Sequence, residues 1–420
     1  MFKFKMLAVA SFFALLGLTV TSHEPVLSIE EPATDEIVTD EIATDKIVTD
    51  ETVTETNSEA SSEAEAAAPD PQAMPTSEAE AETGIETSTD AGVTETETDP
   101  AVGTGPAAPR TIEIEKTALY PEGIEYNPNT GKFLLSSVRE GTIYEIDETG
   151  AYTPFIEDER LVSTTGIHID AERNRLLVPN TDHGLSLHSD PERKLKMAEL
   201  GIYNLTTGEP IAYVDLAALR PEGAHFANDV AVDAEGNAYV TDSVSPILYK
   251  VDPMGNASVF LENERFTGEG FNFNGIIYHP DGYLIVAKKN EGVLFKVPVS
   301  APESFTEIQI SQQFGGADGL VLADNNTLLL IANKVGDITT NAVIQLQGDQ
   351  TWESAIVAGI QETGDVYPTT GIAKENEVYV VFGQLSGLGA ALKEPEPTFA
   401  DSFEIQQVGA LQMVEDFLLN

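Results

Sequence analysis

The stretch FANDVAVDAEGNAYVTDS, residues 226–243, sets an amide beside a carboxylate, Asn228 and Asp229, where a β-strand ordinarily opens on an apolar residue. The same feature returns along the chain: EGIEYNPNTGKFLLSS from Glu122, TGIHIDAERNRLLVPN from Thr165, NGIIYHPDGYLIVAKK from Asn274, DGLVLADNNTLLLIAN from Asp318 and TGIAKENEVYVVFGQ from Thr370. Four of these heads, Glu122, Asn228, Asn274 and Asp318, offer carboxylate or amide oxygens, and no head is His or Cys. Brought together, such donors suit a hard cation. The two formal negative charges balance Ca2+, which accepts six to eight oxygens and so leaves room for water and a substrate oxygen, with Zn2+, Mn2+ or Mg2+ as alternatives. Taken singly, a polar residue at a strand start serves to cap backbone groups. Convergence is what would turn the heads into a site.

The elements that must position them are legible in the same repeats. Each head is followed by a short β-branched strand, a polar turn and a second apolar strand, and usually by third and fourth strand signals such as PILYKVD and SVFLE. Four-stranded units recurring every roughly 45 to 60 residues predict an all-β, six-bladed β-propeller of four-stranded blades, because such a unit cannot bury its own faces until neighbours stack on it. A β-sandwich, the competing architecture, does not require the same turn chemistry in every unit. Closure is expected between TIEIEKTA, near residue 111, and SFEIQQV, near residue 402, which leaves no open edge. In a propeller the first strand of each blade begins beside the axis, so the heads form a ring at one end of the channel.

Two histidines are candidates to work at that end. His225 lies three residues before Asn228, and His183 lies in TDHGLSLHSDPERK, a loop predicted to open onto the same face. An unperturbed imidazole suits proton transfer near neutrality, although a loop histidine is commonly only a solvated surface group. His168 and His279 read as packing or turn residues. The insertion after Asn180 separates Thr165 from Asn228 by 63 residues. It reads equally as a lid or specificity element and as a tolerated surface loop.

Composition divides the rest. Residues 1–22 carry Lys3 and Lys5, an apolar run and a small-residue exit, the layout of a secretory signal; uncleaved, it would be an N-terminal membrane anchor. Residues 23–109 hold 23 acidic residues and one lysine, Lys46, in a repetitive Thr/Glu/Ala/Pro-rich tract. The tract is expected to be a disordered stalk or spacer, with a cation-binding or adhesive tail as the alternative. Residues 110–420 are left for the propeller. The formal charge of the whole chain is -48, and residues 110–420 are acidic in their own right. Nucleic acid is therefore not an expected partner, since phosphate binding needs clustered Lys and Arg. The acidic surface fits a salt-rich habitat or simple solubility. There is no cysteine, so export would bring neither disulfides nor a lipoprotein anchor. A secreted or periplasmic monomer is expected, with no stable membrane span once the signal is cleaved.

EGIEY at Glu122, FANDVAVDAEGNAYVTD around Asn228, NGIIYHPDG at Asn274 and DGLVLAD at Asp318 resemble the senescence marker protein/gluconolactonase family, with paraoxonase and diisopropyl-fluorophosphatase as more distant relatives. The resemblance spans residues 112–410. It implies metal ligands at Glu122, Asn274 and Asp318, with Asn228 facing the same site, and it assigns the proton-accepting role to Asp318. Departures bear on the substrate. Where the family has Arg two residues before its Asn, a position associated with sugar acids, this chain has Phe226, and Val230 replaces the Gly that follows the Asp. Thr165 stands where paraoxonases place a His. The resemblance with these changes implies a calcium-dependent hydrolase of a hydrophobic lactone or ester, with Asn228, Phe226 and Thr165 against substrate and Asp318, His225 and His183 as catalytic candidates. The cation would polarise the carbonyl while a carboxylate or imidazole deprotonates water. A calcium-stabilised propeller that binds a protein or glycan without catalysis is the alternative, because propellers host many roles.

Overall fold

The computed structural model describes residues 109–409 and 412–413. The expected signal and nearly all of the acidic tract lie outside the described residues. Among the described residues, no helix is long and apolar enough to cross a membrane.

Alternating burial and short polar turns make each unit an up-and-down antiparallel sheet. The first consists of Ile124–Asn127, Lys132–Ser136, Ile143–Ile146 and Tyr152–Ile156. The same order recurs in sets that begin with the strands His168–Asp170, His225–Val232, Phe273–His279 and Ala317–Asp324. Turn chemistry is local: Asp233 accepts from the N–H groups of Gly236 and Asn237, and Gly236 sits at φ +87°, a conformation that only glycine adopts freely. The last set, Pro368–Lys374, Glu377–Phe382 and Phe403–Gln407, takes its fourth strand from the other end of the described chain. Thr111–Ile114 pairs antiparallel with Phe403–Gln407, the closure expected from the sequence.

The core lies between these sheets rather than within one. Ile285 and Leu294 pack on Leu330 and Ile344 of the next set, and Phe133 and Leu135 pack on Tyr379 and Phe403 of the closing set. Truncating one such buried leucine to alanine would cost about 2–5 kcal/mol. The innermost strands touch in a cycle, each against the next and Pro368–Lys374 back against Ile124–Asn127. The result is a propeller-like arrangement of four-stranded blades around a channel.

Crowding at the axis explains the Gly that follows most heads. A Cβ on Gly275 would lie 2.2 Å from the Asp318 carbonyl oxygen, and one on Gly319 would lie 2.2 Å from Thr370 Oγ1. The register also shifts at the heads, between Ala227 and Val230, Phe273 and Ile276, Ala317 and Leu320, and Pro368 and Gly371. Such bulges re-aim side chains, which is how a strand start can turn a polar residue into a channel.

Candidate active site

At one end of the channel a cavity of about 220 Å³ is lined by Glu122, Thr165, Asn228, Asn274 and Asp318. Five of the sequence-predicted heads therefore converge. The sixth, Thr370, lines a separate cavity of about 350 Å³ further along the inner strands. Glu122 and Asn228 are only 7% and 5% exposed, yet Glu122 Oε2 and Asn228 Oδ1 have no hydrogen-bond partner. Buried acceptors left unmatched are costly, so these two oxygens mark a place built to be completed by something that binds. Burial first, then the charges of Asp318 and Asp229, push the Glu122 carboxyl well above the ordinary range, and Lys289 opposes them.

Lys289 is the charged member of this site that the sequence reading missed. It follows the strand Tyr283–Lys288, and consecutive side chains of an extended segment point opposite ways. Lys288 donates to the carbonyls of Arg265 and Thr267 and pairs with Glu291, whereas Lys289 lines the cavity. Its Nζ donates to Asp318 Oδ2 at 2.6 Å and to Asn333 Oδ1 at 2.6 Å, and Asn333 Nδ2 donates to the same Asp318 oxygen. Burial is the largest single influence on Lys289 and lowers its pKa, but the charge of Asp318, Tyr367, the hydrogen bond to Asp318 and the charge of Glu122 together outweigh it and hold the ammonium above its usual value. A signal existed in the repeats. Ser243, Lys289 and Asn333 occupy one structural position in successive blades, their N–H groups donating to the carbonyls of Phe226, Asn272 and Gly316. A lysine is the outlier of that series.

The opposite wall is apolar. Phe226 stands between His183, with ring centroids 5.2 Å apart, and Phe271, with centroids 5.0 Å apart, and all three line the cavity. The insertion after Asn180 thus reaches the site through His183 and Leu185, while the short helix Leu385–Ala391 contributes Leu385 and Ser386. Burial lowers the His183 pKa to about 4, so its imidazole is neutral near pH 7, and its Nδ1 has no partner. Thr165 lines the cavity too, but its Oγ1 already donates to the Ala227 carbonyl.

His225 is a correction to the sequence expectation. It is not among the residues lining the cavity, and both ring nitrogens are taken, Nδ1 by Asp242 at 2.9 Å and Nε2 by the Arg220 carbonyl at 2.7 Å. Asp242 also accepts from the Phe226 N–H and from the Tyr249 hydroxyl. The pair anchors the backbone that carries Phe226 and Asn228. Proximity in sequence suggested reach, but the Asp242 carboxylate holds the ring elsewhere.

Asp229 serves the backbone, through bonds from the Val230 and Ile276 N–H groups. Burial raises its pKa to about 7. It lines the second cavity with Glu125 and His168, which pair at 3.0 Å. His168 is thus a channel residue rather than a packing one.

No protein-family model matches the chain, and no curated protein matches it in sequence. Similar solved structures include the allergen Mala s 1 of Malassezia sympodialis, at 16% identity and a TM-score of 0.58 over 73% of this chain and 98% of that one. They also include a gluconolactonase of Xanthomonas campestris, at 15% identity and a TM-score of 0.47 over 74% and 94% of the two chains. A third is the calcium-binding protein regucalcin of Agrobacterium tumefaciens, at 16% identity and a TM-score of 0.47 over 71% and 94%. The likeness to Mala s 1 is one of fold. The gluconolactonase and regucalcin are of the type that the sequence motifs resemble.

Proposed function

We propose that the cavity ringed by Glu122, Asn228, Asn274 and Asp318 is the active site of an exported hydrolase that cleaves a small, largely apolar lactone or ester. The observation that carries this reading is the pairing, in one cavity, of two buried unpartnered oxygens with the wall of Phe226, Phe271 and His183. The motif resemblance supports the reaction class. The signal over residues 1–22, the acidic spacer over 23–109 and the count of six blades belong to the same proposal.

The donors fit an oxygen-ligated divalent cation such as Ca2+. Glu122 Oε2, Asn228 Oδ1 and Asn274 would hold it, together with the Asp318 oxygen that Lys289 does not engage. When bound, such an ion supplies an electrophile for the carbonyl and for the developing oxyanion. The remaining work falls to the protein's own groups. Phe226 and Phe271 hold the apolar part of the substrate and exclude water from it. His183, neutral and with Nδ1 free, is placed to accept a proton from water, as is Asp318, though the latter has Oδ2 already committed.

That commitment of Asp318 favours a second reading, a propeller that binds its ligand without cleaving it. The test is turnover by the full-length protein on a panel of aryl esters, aliphatic lactones and sugar lactones, with and without chelator. Chelator-sensitive hydrolysis of the apolar members is expected. Inactivity on the entire panel with a cation still bound would leave the binding module.

A further inference from the structure

We infer that Lys289 is a resident cation of the channel mouth, an ammonium that neutralises Asp318 and competes with a divalent ion for the ring of oxygens. The inference rests on the proposed reading of the ring as a cation cradle. Its basis is geometric. Asp318, the head to which the motif resemblance gives both metal binding and proton transfer, receives Lys289 Nζ at 2.6 Å and Asn333 Nδ2 on the same oxygen. Asn333 holds the lysine in turn, accepting from Nζ at 2.6 Å and anchoring its own amide on the Pro368 carbonyl at 2.8 Å. The side chain is therefore fixed in a cage contributed by neighbouring blades, and the ring of Tyr367, 5.6 Å from the ammonium, adds a favourable face.

Charge makes the consequence specific. Among the residues lining the cavity, Glu122 and Asp318 are the carboxylates, and of the basic groups His183 and Lys289 it is Lys289 that reaches a carboxylate. Counted as formal charges, the ring with the lysine in place offers an incoming ion about one net negative charge instead of two, and a divalent ion must approach a positive neighbour in a buried site, where charges are poorly screened. One carboxylate oxygen is also withdrawn from the donor set. Glu122 Oε2 and Asn228 Oδ1 keep the cradle ready, while Lys289 sets how tightly it closes on a cation. A lysine has three N–H donors, and the protein supplies acceptors for two of them here, so the third is available to a substrate oxygen at the cavity.

The test is calorimetric titration of chelator-stripped full-length protein with Ca2+, repeated with Mn2+ and Mg2+, on the native chain and on Lys289→Met, Lys289→Ser and Lys289→Asn. Ser and Asn are the residue types found at the equivalent positions of the adjacent blades, so these two variants guard against a misfolded Met variant. Folding of each is checked by its melting transition. At least a tenfold gain in affinity for Ca2+ in the folded variants, or binding by the variants where the native chain binds none, is expected. Affinity unchanged or weakened, or no binding by any of the proteins, overturns the inference. The readout needs no substrate, so it stands apart from the hydrolase assay. Tighter binding with an inactive ester panel would sink the proposed activity and leave the lysine's role intact, and activity with unchanged affinity would do the reverse.

Discussion

The imidazole of His183 stands edge-on to the ring of Phe226, centroids 5.2 Å apart and planes at 71°. One residue comes from the insertion after Asn180 and the other from the innermost strand His225–Val232, so the contact joins a loop to the channel wall. Phe271 continues the wall on the far side of Phe226, with centroids 5.0 Å apart. An apolar surface of this kind selects by excluding polar groups that it cannot satisfy.

Phe226→Arg should therefore reverse the preference of the site. A guanidinium at this position replaces the centre of the aromatic wall with five donors. Relative kcat/KM for sugar-acid lactones over aliphatic lactones should rise by about tenfold or more, the range expected when one pocket contact is exchanged. Phe226→Leu, which keeps the wall apolar, should leave the preference within about threefold of the native protein. An unchanged ratio in the Arg variant would mean that Phe226 does not meet the substrate.

His183 gives a pH signature. Burial lowers its folded pKa to about 4 from the ordinary 6.5, so between those values the folded protein binds fewer protons there than the unfolded chain. Its contribution makes stability fall as pH drops from about 6.5 to about 4 and is constant above that window. His183→Phe keeps the edge-on ring contact and removes the titrating group. The melting temperature of the variant should decline less steeply than that of the native protein over this window, and the two profiles should run parallel from pH 7 to 9. Parallel profiles throughout would refute the buried neutral imidazole.

His225 should matter to stability and not to chemistry. Replacing it with Asn removes a donor to Asp242 at 2.9 Å and leaves a buried carboxylate less satisfied. The cost should be about 2 kcal/mol, read from urea denaturation. Below the unfolding transition kcat should stay within about twofold, because neither ring nitrogen is free to meet substrate. A loss of kcat in a protein of undiminished stability would restore His225 to the mechanism.

Much of this architecture could be read from the chain because repetition made its rules visible. The recurring head, the Gly after it and the polar turn between the first two strands gave the blades, and TIEIEKTA and SFEIQQV gave the closing pair, which meets at Ile112 and Ile405. Glu122, Asn228, Asn274 and Asp318 converge because each lies at or near the start of an inner strand, an address that follows from topology alone. What escaped the sequence depends on side-chain direction and on contacts distant in the chain. Lys288 and Lys289 are adjacent and chemically identical, yet one is spent on the Arg265 and Thr267 carbonyls and the other on Asp318. His225 looked nearer to the site than His183 when distance was counted in residues. The Asp242 carboxylate, 17 positions later, decides otherwise.

The two carboxylates of the ring should separate in their effects. Glu122 has an unpartnered oxygen and a carboxyl that burial pushes up, so in the proposed site it is a ligand awaiting an ion. Glu122→Gln removes one of the two negative charges and keeps the shape, and should weaken Ca2+ binding by about tenfold or more while turnover at saturating cation falls far less. Asp318 does more than bind. Asp318→Asn retains an oxygen ligand, removes a candidate proton acceptor and releases Lys289 from its partner at 2.6 Å, so two effects on the cation oppose each other, a lost charge and a loosened competitor. Cation affinity in this variant should move less than in Glu122→Gln, whereas turnover should drop by about a hundredfold, the lower end of what a positioned base contributes. Calorimetry and steady-state kinetics on the same preparations measure both quantities. If Asp318→Asn turns over like the native protein, proton acceptance belongs to another group, and His183, neutral and with Nδ1 unpartnered, is the one the cavity offers.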